Sequence, residues 1–208
     1  MLMACANSLR PLPVSFTYTP DQTAQPVAKA ESVYVKVKVN DVRQNKDLGE
    51  AGNAIGTAPI VTQDDPAEVI TAGVESELRN RGFELGAGNA LVTIDLEGLA
   101  VKQTMPTAAL MVPAVALIDS DQVRAIAIMA VHVQHDSGAF IYTKRISGKV
   151  AFAAKIQNET PSSMSERALN YALDEAVWNL MADHAFINAL LATRNPAKPA
   201  PSVAPSVP

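Results

Sequence analysis

Few side chains in this sequence are of a type and spacing that could do chemistry, and His132 and His135 are the pair to consider first. They lie three residues apart, where a predicted strand enters a turn, and Asp136 follows directly. Successive side chains of a strand point to opposite faces, so this spacing turns the two imidazoles away from each other and argues against a shared metal ion. We therefore predict no metal site, with a surface site that uses Asp136 as the alternative.

The other candidate residues do not form a catalytic arrangement either. His184 lies at a predicted helix junction, where a capping or surface position accounts for it. Asp41 and Arg43 share one face of a predicted strand, so we expect an ion pair that steers the chain into the next loop. The chain has one Cys and no recognisable grouping of His, Ser and Asp. The sequence therefore predicts no catalytic residues, and we expect a non-enzymatic protein without a cofactor.

Cys5 is the residue with the most specific sequence context. It closes the motif Leu2-Met3-Ala4-Cys5, with an apolar residue three positions before the cysteine and a small residue directly before it. This pattern is typical of the end of a bacterial lipoprotein signal and predicts that Cys5 is acylated and anchors the chain to a membrane. Four residues cannot hold the basic and apolar regions of a secretory signal, so either the start is assigned too late or the chain has been trimmed.

Charge and hydropathy exclude two classes of protein. The 208 residues carry a net charge of −4, with 17 Lys and Arg against 21 Asp and Glu, and no basic stripe is visible along the chain. Phosphate binding needs clustered Lys and Arg, so nucleic acid is not an expected partner. No run of about eighteen apolar residues occurs, and the sequence therefore predicts no membrane-spanning helix.

Proline content and periodicity divide the chain into three parts. Residues 6–31 contain four prolines and no sustained period, so together with the lipobox-like N-terminus they predict a tether over residues 1–31. Residues 32–193 hold the core-forming segments and predict a single domain. Residues 194–208 are rich in Pro and Ala and predict a disordered tail.

The predicted domain begins with a strand and the helix that should cover it. Residues 32–43 alternate Val with polar side chains, which is typical of a strand with one buried face. Three glycines in residues 44–59 favour a loop. Asp65 and Pro66 then fit the N-cap and first position of a helix, and Gly82 fits its end. The apolar stripe that should pack on the valines consists of Ile70, Val74 and Leu78.

Three further strands are predicted after this helix. Residues 90–104 alternate and then slip by one position at Gly98, which indicates a β-bulge. Residues 123–134 are apolar on both faces, which is typical of a central strand. A turn separates them from residues 140–152, and the two segments predict an antiparallel hairpin.

A long helix and a short segment close the domain. In the helix, Ser163 and Glu166 have capping-box spacing. A short amphipathic segment over residues 185–191 then folds back on the domain. All these elements predict an α+β fold, with an antiparallel-rich sheet of four to five strands, two main helices packed on it and disordered Pro-rich tails.

The order of these segments resembles the YajG-like family of bacterial envelope lipoproteins over roughly residues 33–192. The similarity rests on short motifs, namely the valines that lead into Asp41-Val42-Arg43, Gly49 in the loop, Leu78-Arg79-Asn80-Arg81-Gly82-Phe83 at the helix end, the Leu91–Leu99 strand and Phe186-Ile187. The resemblance implies a lipid-anchored periplasmic domain with helices packed on an antiparallel-rich sheet. It implies no catalytic residues.

Two features depart from that family. One is the Pro/Ala-rich tail after Asn195, and the other is the apolar segment Met105–Asp119, which Pro106 and Pro113 interrupt. This segment either completes the core or forms a partner surface. We favour a partner surface, because the prolines remove backbone donors and the flanking strands already supply apolar area. Four residues would contact another protein or another copy of the chain: Leu110, Met111, Val115 and Leu117.

These observations lead to an expected function without catalysis. We expect a structural or protein-interaction component of the cell envelope, lipid-anchored at the periplasmic face of the outer membrane. Ala6 after Cys5, rather than Asp, agrees with outer-membrane sorting. The expected partner is an envelope protein or a second copy of the chain. The alternative is a periplasmic binding module for a lipid, a peptidoglycan fragment or another small ligand, which would need an apolar cavity.

Overall fold

Eight strands and three α-helices form the structure, a computed structural model that describes residues 10–53, 56–86, 88–104, 121–154 and 160–194. The strands are β1 (Leu12–Pro13), β2 (Tyr34–Asp41), β3 (Gly49–Asn53), β4 (Gly56–Val61), β5 (Glu84–Leu85), β6 (Ala90–Thr104), β7 (Asp121–His135) and β8 (Phe140–Ala154). The helices are α1 (Pro66–Asn80), α2 (Pro161–Met181) and α3 (His184–Ala192). The predicted α+β class is confirmed.

The strands join in one branched sheet around β6. Strands β6, β7 and β8 form an antiparallel meander in which each strand has 15 residues. Along the other edge of β6, β2 pairs in parallel with the first half and β3 pairs in parallel with the second half. Strand β5 extends the sheet beyond β2, and β4 and β1 extend it beyond β3. The sheet is antiparallel-rich, as predicted, but four to five strands is too few.

The loop prediction for residues 44–59 is wrong, because this stretch contains β3 and most of β4. Gly49 has φ of 105°, and a Cβ atom built on it would lie 2.1 Å from the carbonyl oxygen of Val101. The missing side chain therefore lets β3 approach β6 closely. A glycine that permits strand pairing and a glycine that makes a turn look the same in a sequence.

The predicted alternation of β6 and its bulge are confirmed. The pairing of β6 with β7 shifts register between Leu96 and Gly98, at the predicted bulge. Strand β7 lies between β6 and β8, so its predicted central position in the meander is confirmed. The buried side chains of β6 alternate before the bulge and again after it: Val92, Ile94 and Leu96, then Leu99 and Val101.

Helix α1 begins and ends where the sequence predicts. Asp65 is the N-cap, and its carboxylate accepts a 2.9 Å hydrogen bond from the Ala67 N–H. Gly82 follows the helix with φ of 87°, the left-handed conformation that glycine adopts without strain. The predicted stripe is buried and the helix packs on β2. The stripe residues are each at most 1% exposed: Ile70, Val74 and Leu78.

Helix α2 has a different cap from the predicted one. The Thr160 hydroxyl accepts the Ser163 N–H at 3.2 Å, and the Ser163 hydroxyl accepts the Thr160 N–H at 3.0 Å. Pro161 occupies the first helical position, which places the capping box one turn earlier than expected. The predicted box of Ser163 and Glu166 is therefore wrong, and the Glu166 carboxylate is available for another contact.

Helices α2 and α3 cover one face of the β6–β8 meander, whereas α1 packs on β2. A Cβ atom on Gly148 of β8 would lie 2.0 Å from the Ala172 carbonyl oxygen of α2, so glycine allows the helix to pack closely. Helix α3 adds Phe186, which is fully buried with its ring edge-on to Tyr142 at a centroid distance of 5.6 Å. We call the opposite face of the meander the open face, since no described element packs across it.

Candidate functional site

The histidines of the sequence do not form a joint site. The Nδ1 atom of His132 lies 3.1 Å from the Thr143 hydroxyl on β8, whereas His135 lies at the turn against Asp136. His184 is exposed at the start of α3. Within the described residues, no group of three or more His, Cys, Asp and Glu side chains could hold a metal ion.

Asp41 and Arg43 form the ion pair that their spacing predicts. The Arg43 guanidinium donates from Nε to Oδ1 and from Nη2 to Oδ2 of Asp41, both at 2.9 Å. This bidentate bond holds the pKa of the Asp41 carboxyl down at about 2. Arg43 is buried at 7% exposure and also donates to the Leu99 carbonyl oxygen at 3.5 Å. The pair therefore joins the end of β2 to β6.

Two sets of predicted site residues lie outside the described residues. These are the lipidation residue Cys5 and the partner segment Met105–Asp119, with Leu110, Met111, Val115 and Leu117. Their roles stay predictions. The most extensive polar arrangement in the described chain involves instead the segment that precedes β2.

Residues 12–21, which we call the strap, lie in the groove between α1 and α2. The sequence predicts a tether here, but β1 pairs in parallel with β4, and Val14 and Phe16 are only 4% and 6% exposed. The segment packs on the domain although prolines lie at positions 11, 13 and 20. Residues 12–21 of the predicted tether are therefore packed structure.

Three acceptors on α2 bind the backbone of the strap. Alternate strap residues donate their N–H groups to side chains spaced four residues apart on the helix, namely Ser15 to Glu166 at 2.9 Å, Thr17 to Asn170 at 3.2 Å and Thr19 to Asp174 at 3.0 Å. Four residues of α-helix rise about 6.0 Å, and two residues of extended chain span about 6.6 Å. The two repeats match closely enough to form three successive bonds.

The other side of the strap is held by α1 and the residues before it. The Phe16 N–H donates to the Asp64 carboxylate at 2.7 Å, and the Val14 N–H donates to the Val61 carbonyl oxygen at 2.9 Å. A Cβ atom on Gly73 would lie 2.7 Å from the ring of Tyr18. The absence of a side chain on Gly73 therefore makes room for that ring.

A buried polar cluster closes the end of the strap. Glu77 is fully buried, and its Oε1 atom accepts the Tyr18 hydroxyl at 2.9 Å and the Asp21 N–H at 2.7 Å. Its Oε2 atom pairs with Arg81, whose Nη2 atom lies 3.6 Å from the Asp21 carboxylate. Burial, and then the hydrogen bond to Glu77, raise the pKa of Tyr18 above its usual value. Every charge in this cluster therefore has a partner.

Asp174 differs from the other strap acceptors because it is buried without a cation among the described residues. Asp174 is 1% exposed, and its carboxylate accepts the Thr19 N–H. Burial raises the pKa of Asp174, and the hydrogen bonds from Thr19 oppose that rise. The neutral form of this carboxyl is favoured more than in water.

Sequence reasoning missed the strap, although a signal was present. Leu12, Val14, Phe16 and Tyr18 are apolar at every second position, the period of a strand. Pro13 within this stretch, with Pro11 and Pro20 on either side of it, hid the alternation. The acceptors on α2 also follow a regular spacing, but each donor and acceptor are separated by more than 150 residues.

A family model and several solved structures are similar to this chain. A family model described as uncharacterized lipoprotein matches residues 19–191. The first structural neighbour is protein XCC0632 from Xanthomonas campestris, at 10% identity and a TM-score of 0.53, with 88% of this chain and 98% of that chain covered. A minor lipoprotein from Acinetobacter baumannii matches at 8% identity and a TM-score of 0.44, with 76% and 93% covered. No curated protein matches the sequence.

The family match covers most of the chain, and the likeness to the Xanthomonas protein shows the fold alone. In the described part of the chain, no helix is long and apolar enough to cross a membrane. The family match begins inside the strap and ends in α3, so it includes most of the structure described above. This chain belongs to a family of uncharacterized bacterial lipoproteins.

Proposed function

We propose that this protein is a YajG-like lipoprotein, anchored through acylated Cys5 at the periplasmic face of the outer membrane. There it acts without catalysis, as a structural or protein-interaction component of the envelope. Family membership supports the lipoprotein assignment, and Leu2-Met3-Ala4-Cys5 supplies the residue for the anchor. The resemblance of the residues from Val35 to Ile187 to the YajG-like family supports the finer assignment.

The single observation that carries this proposal is the fixed strap. Only residues 6–11 separate Cys5 from β1, and the strap that follows is bonded to both α1 and α2. Seven Cα-to-Cα steps span at most about 24 Å, so Leu12 would lie within that distance of the acylated residue. A domain held this closely acts at the membrane surface. A long tether would instead let it act far from the membrane.

The experiment for the anchor compares the native chain with a Cys5→Ser variant in the native host. We expect the native chain in the outer-membrane fraction and the variant in the soluble fraction, because several acyl chains give stable anchoring. Mass spectrometry of the mature N-terminus identifies the modification. An unmodified Cys5 in the native host would contradict the anchor.

The partner surface has its own test in the same strain. Replacing Leu110 and Met111 together with Ser should abolish cross-linking to an envelope protein or to a second copy, while the melting temperature stays unchanged. The remaining residues of the proposed surface are Val115 and Leu117. A large fall in the melting temperature would instead assign the segment to the core.

A specific observation also favours the alternative function, a binding module. The open face contains a cavity of about 510 Å³. Its lining combines small or apolar residues with three cationic side chains: Ala100, Ile126 and Ala151 with Lys102, Arg124 and Lys149. A cavity of this size and composition fits a small amphiphilic ligand.

A further inference from the structure

The cationic residues of this cavity come from three different strands. Register places Lys102 of β6 directly opposite Arg124 of β7, and it places Lys149 of β8 opposite Ile126, one row further along. All three cationic residues are exposed. Because 22 and 25 residues separate successive members along the chain, the basic cluster exists only in the folded sheet.

The charges of this cluster are not neutralised within the described chain. Like charges directly opposite each other on neighbouring strands destabilise a sheet. None of the three cations forms an ion pair within the described residues, and Glu50, which is registered beside Lys102, makes none with it. Further along the open face, Glu97 is already bonded to Arg145 at 2.7 Å. The cluster is therefore complementary to an external anion.

The floor of the cavity indicates what kind of anion fits. Between the cations lie the side chains of Ala100, Ile126 and Ala151, which offer an apolar surface. Arg124 can bind phosphate oxygens through two N–H groups, and the lysines add point charges. A phosphate ester with an adjoining hydrocarbon portion would satisfy the cations and cover the floor. An inorganic anion would satisfy only the cations.

The position of the cavity relative to the N-terminus favours a membrane lipid. The sheet has a continuous path of neighbouring strands from β1 through β4, β3 and β6 to β7. Leu12 on β1 therefore lies four strand spacings, or about 19 Å, from β7. The proposed anchor would lie within about 24 Å of Leu12. The cavity is thus within reach of the membrane that holds the chain.

We propose that the cavity formed by Lys102, Arg124 and Lys149 binds the phosphate group of an anionic phospholipid at the membrane surface, with Ile126 beneath the lipid's glycerol and first methylene groups. This inference deepens the binding alternative and rests on the proposed membrane anchor for its location. It gives the lipoprotein a second, non-covalent contact with the bilayer. That contact orients the open face toward the lipid.

The test uses the full chain with Cys5→Ser, so that no acyl group contributes to binding. Sedimentation with phosphatidylcholine vesicles is measured with and without phosphatidylglycerol. The same measurement is made for Arg124→Gln combined with Lys149→Gln. The matched control combines Lys36→Gln with Lys38→Gln, which removes the same charge from exposed positions on β2. Melting temperatures show whether each variant folds.

The proposal requires binding that depends on phosphatidylglycerol and on the cavity. Each Lys or Arg near an anionic surface contributes roughly fivefold, so the Arg124 and Lys149 double variant should bind about 30-fold more weakly. The control should keep most of its affinity, and both variants should melt normally. Glycerol phosphate in solution should not compete with the vesicles, because it cannot cover the apolar floor.

Three results would overturn the inference. The first is equal binding to vesicles with and without phosphatidylglycerol. The second is an equal loss of vesicle affinity in the Lys36 and Lys38 control. The third is release of the protein from vesicles by glycerol phosphate at the concentrations at which this free anion binds the protein. The vesicle result does not depend on acylation, since Cys5 is absent from the tested protein. The vesicle experiment therefore tests the lipid site alone, and the fractionation experiment tests the anchor alone.

Discussion

The helix-covered face of the sheet and the open face of the meander satisfy charge in opposite ways. On the helix side, carboxylates are buried and accept backbone N–H groups of the strap, as in Glu77 and Asp174. On the open face, Arg124 and Lys149 are exposed and have no ion pair within the described residues. The helix side therefore uses its charges to hold the chain together, whereas the cavity on the open face keeps its cations available for a ligand.

This comparison predicts that the same kind of substitution has a large effect on one face and a small effect on the other. The strap bonds tie the N-terminal segment to residues more than 150 positions away, and a hydrogen bond to a charged group stabilises by about 1.5–3 kcal/mol. Exposed ion pairs stabilise by about 0–1 kcal/mol. Stability should therefore depend on the helix side.

The largest effect is expected for Glu77→Ala. This change leaves Arg81 buried with only its longer contact to Asp21, and it removes the acceptor of the Tyr18 hydroxyl and the Asp21 N–H. We therefore expect a loss of about 3–5 kcal/mol in the free energy of unfolding. The matched control is Glu97→Ala on the open face, where the exposed pair with Arg145 should cost at most about 1 kcal/mol. Urea denaturation measures both. Equal losses would mean that the buried carboxylate contributes no more to stability than the exposed ion pair.

Glycine substitutions should also affect the two faces differently, because packing is close at a glycine on the helix side and looser at one on the open face. A Cβ atom on Gly148 would meet the α2 backbone, with the Ala172 carbonyl oxygen at 2.0 Å, so Gly148→Ala should destabilise by about 1–3 kcal/mol or more. On Gly98 a Cβ atom would meet only the Ile128 side chain at 3.4 Å or more. Gly98→Ala should therefore be nearly neutral in thermal melts. The reverse order would mean that the helices lie on the other face.

The helix side shows how far the sequence can be read. The stripe of α1, its cap at Asp65 and the bulge at Gly98 depend on neighbours within a few residues, and all were predictable. The strap was not, because its prolines resemble those of a linker and its acceptors on α2 are distant in sequence. Pairing of β3 with β6 also depends on a close backbone approach at Gly49 that no local pattern reveals.

The open face shows the same limit more strongly. Sequence analysis finds no basic stripe, since Lys102, Arg124 and Lys149 are far apart along the chain. Strand register alone brings them together. Predicting the cluster would have required the pairing of β6 with β7 and of β7 with β8 to the residue. A bulge shifted by one position would have moved Lys102 to the buried face.

The smallest effect concerns two carboxyls on the helix side that differ in whether a cation accompanies them. Asp183 accepts from Lys144 and from the Tyr142 hydroxyl, both at 2.8 Å, and the bond from Lys144 first holds its pKa down at about 2. Asp174 is buried with the Thr19 N–H as its partner, and burial raises its pKa.

The two pKa shifts change the stability of the fold with pH in opposite directions. A lowered pKa means that the ionised Asp183 stabilises the fold above its ordinary pKa of 3.8, and this stability is lost as the pH falls toward about 2. A raised pKa means that the fold binds the Asp174 proton more tightly than the unfolded chain does. The contribution of Asp174 is therefore complete below pH 3.8 and falls as the pH rises through its raised value.

Asn variants of the two residues, melted between pH 2 and pH 8, should therefore diverge in sign. Asp183→Asn should lower the melting temperature relative to the native chain, and the difference should grow from pH 2 to about pH 4 and then stay constant. Asp174→Asn keeps an oxygen for the Thr19 N–H but carries no charge, so its melting temperature should rise relative to the native chain as the pH increases above 3.8. If Asp174→Asn instead lowered the melting temperature at neutral pH, the ionised carboxylate would be a net stabiliser of the strap. Buried carboxylates on the helix side would then contribute through their charge, as the cations of the open face are proposed to do, and the contrast between the two faces would lie in exposure alone.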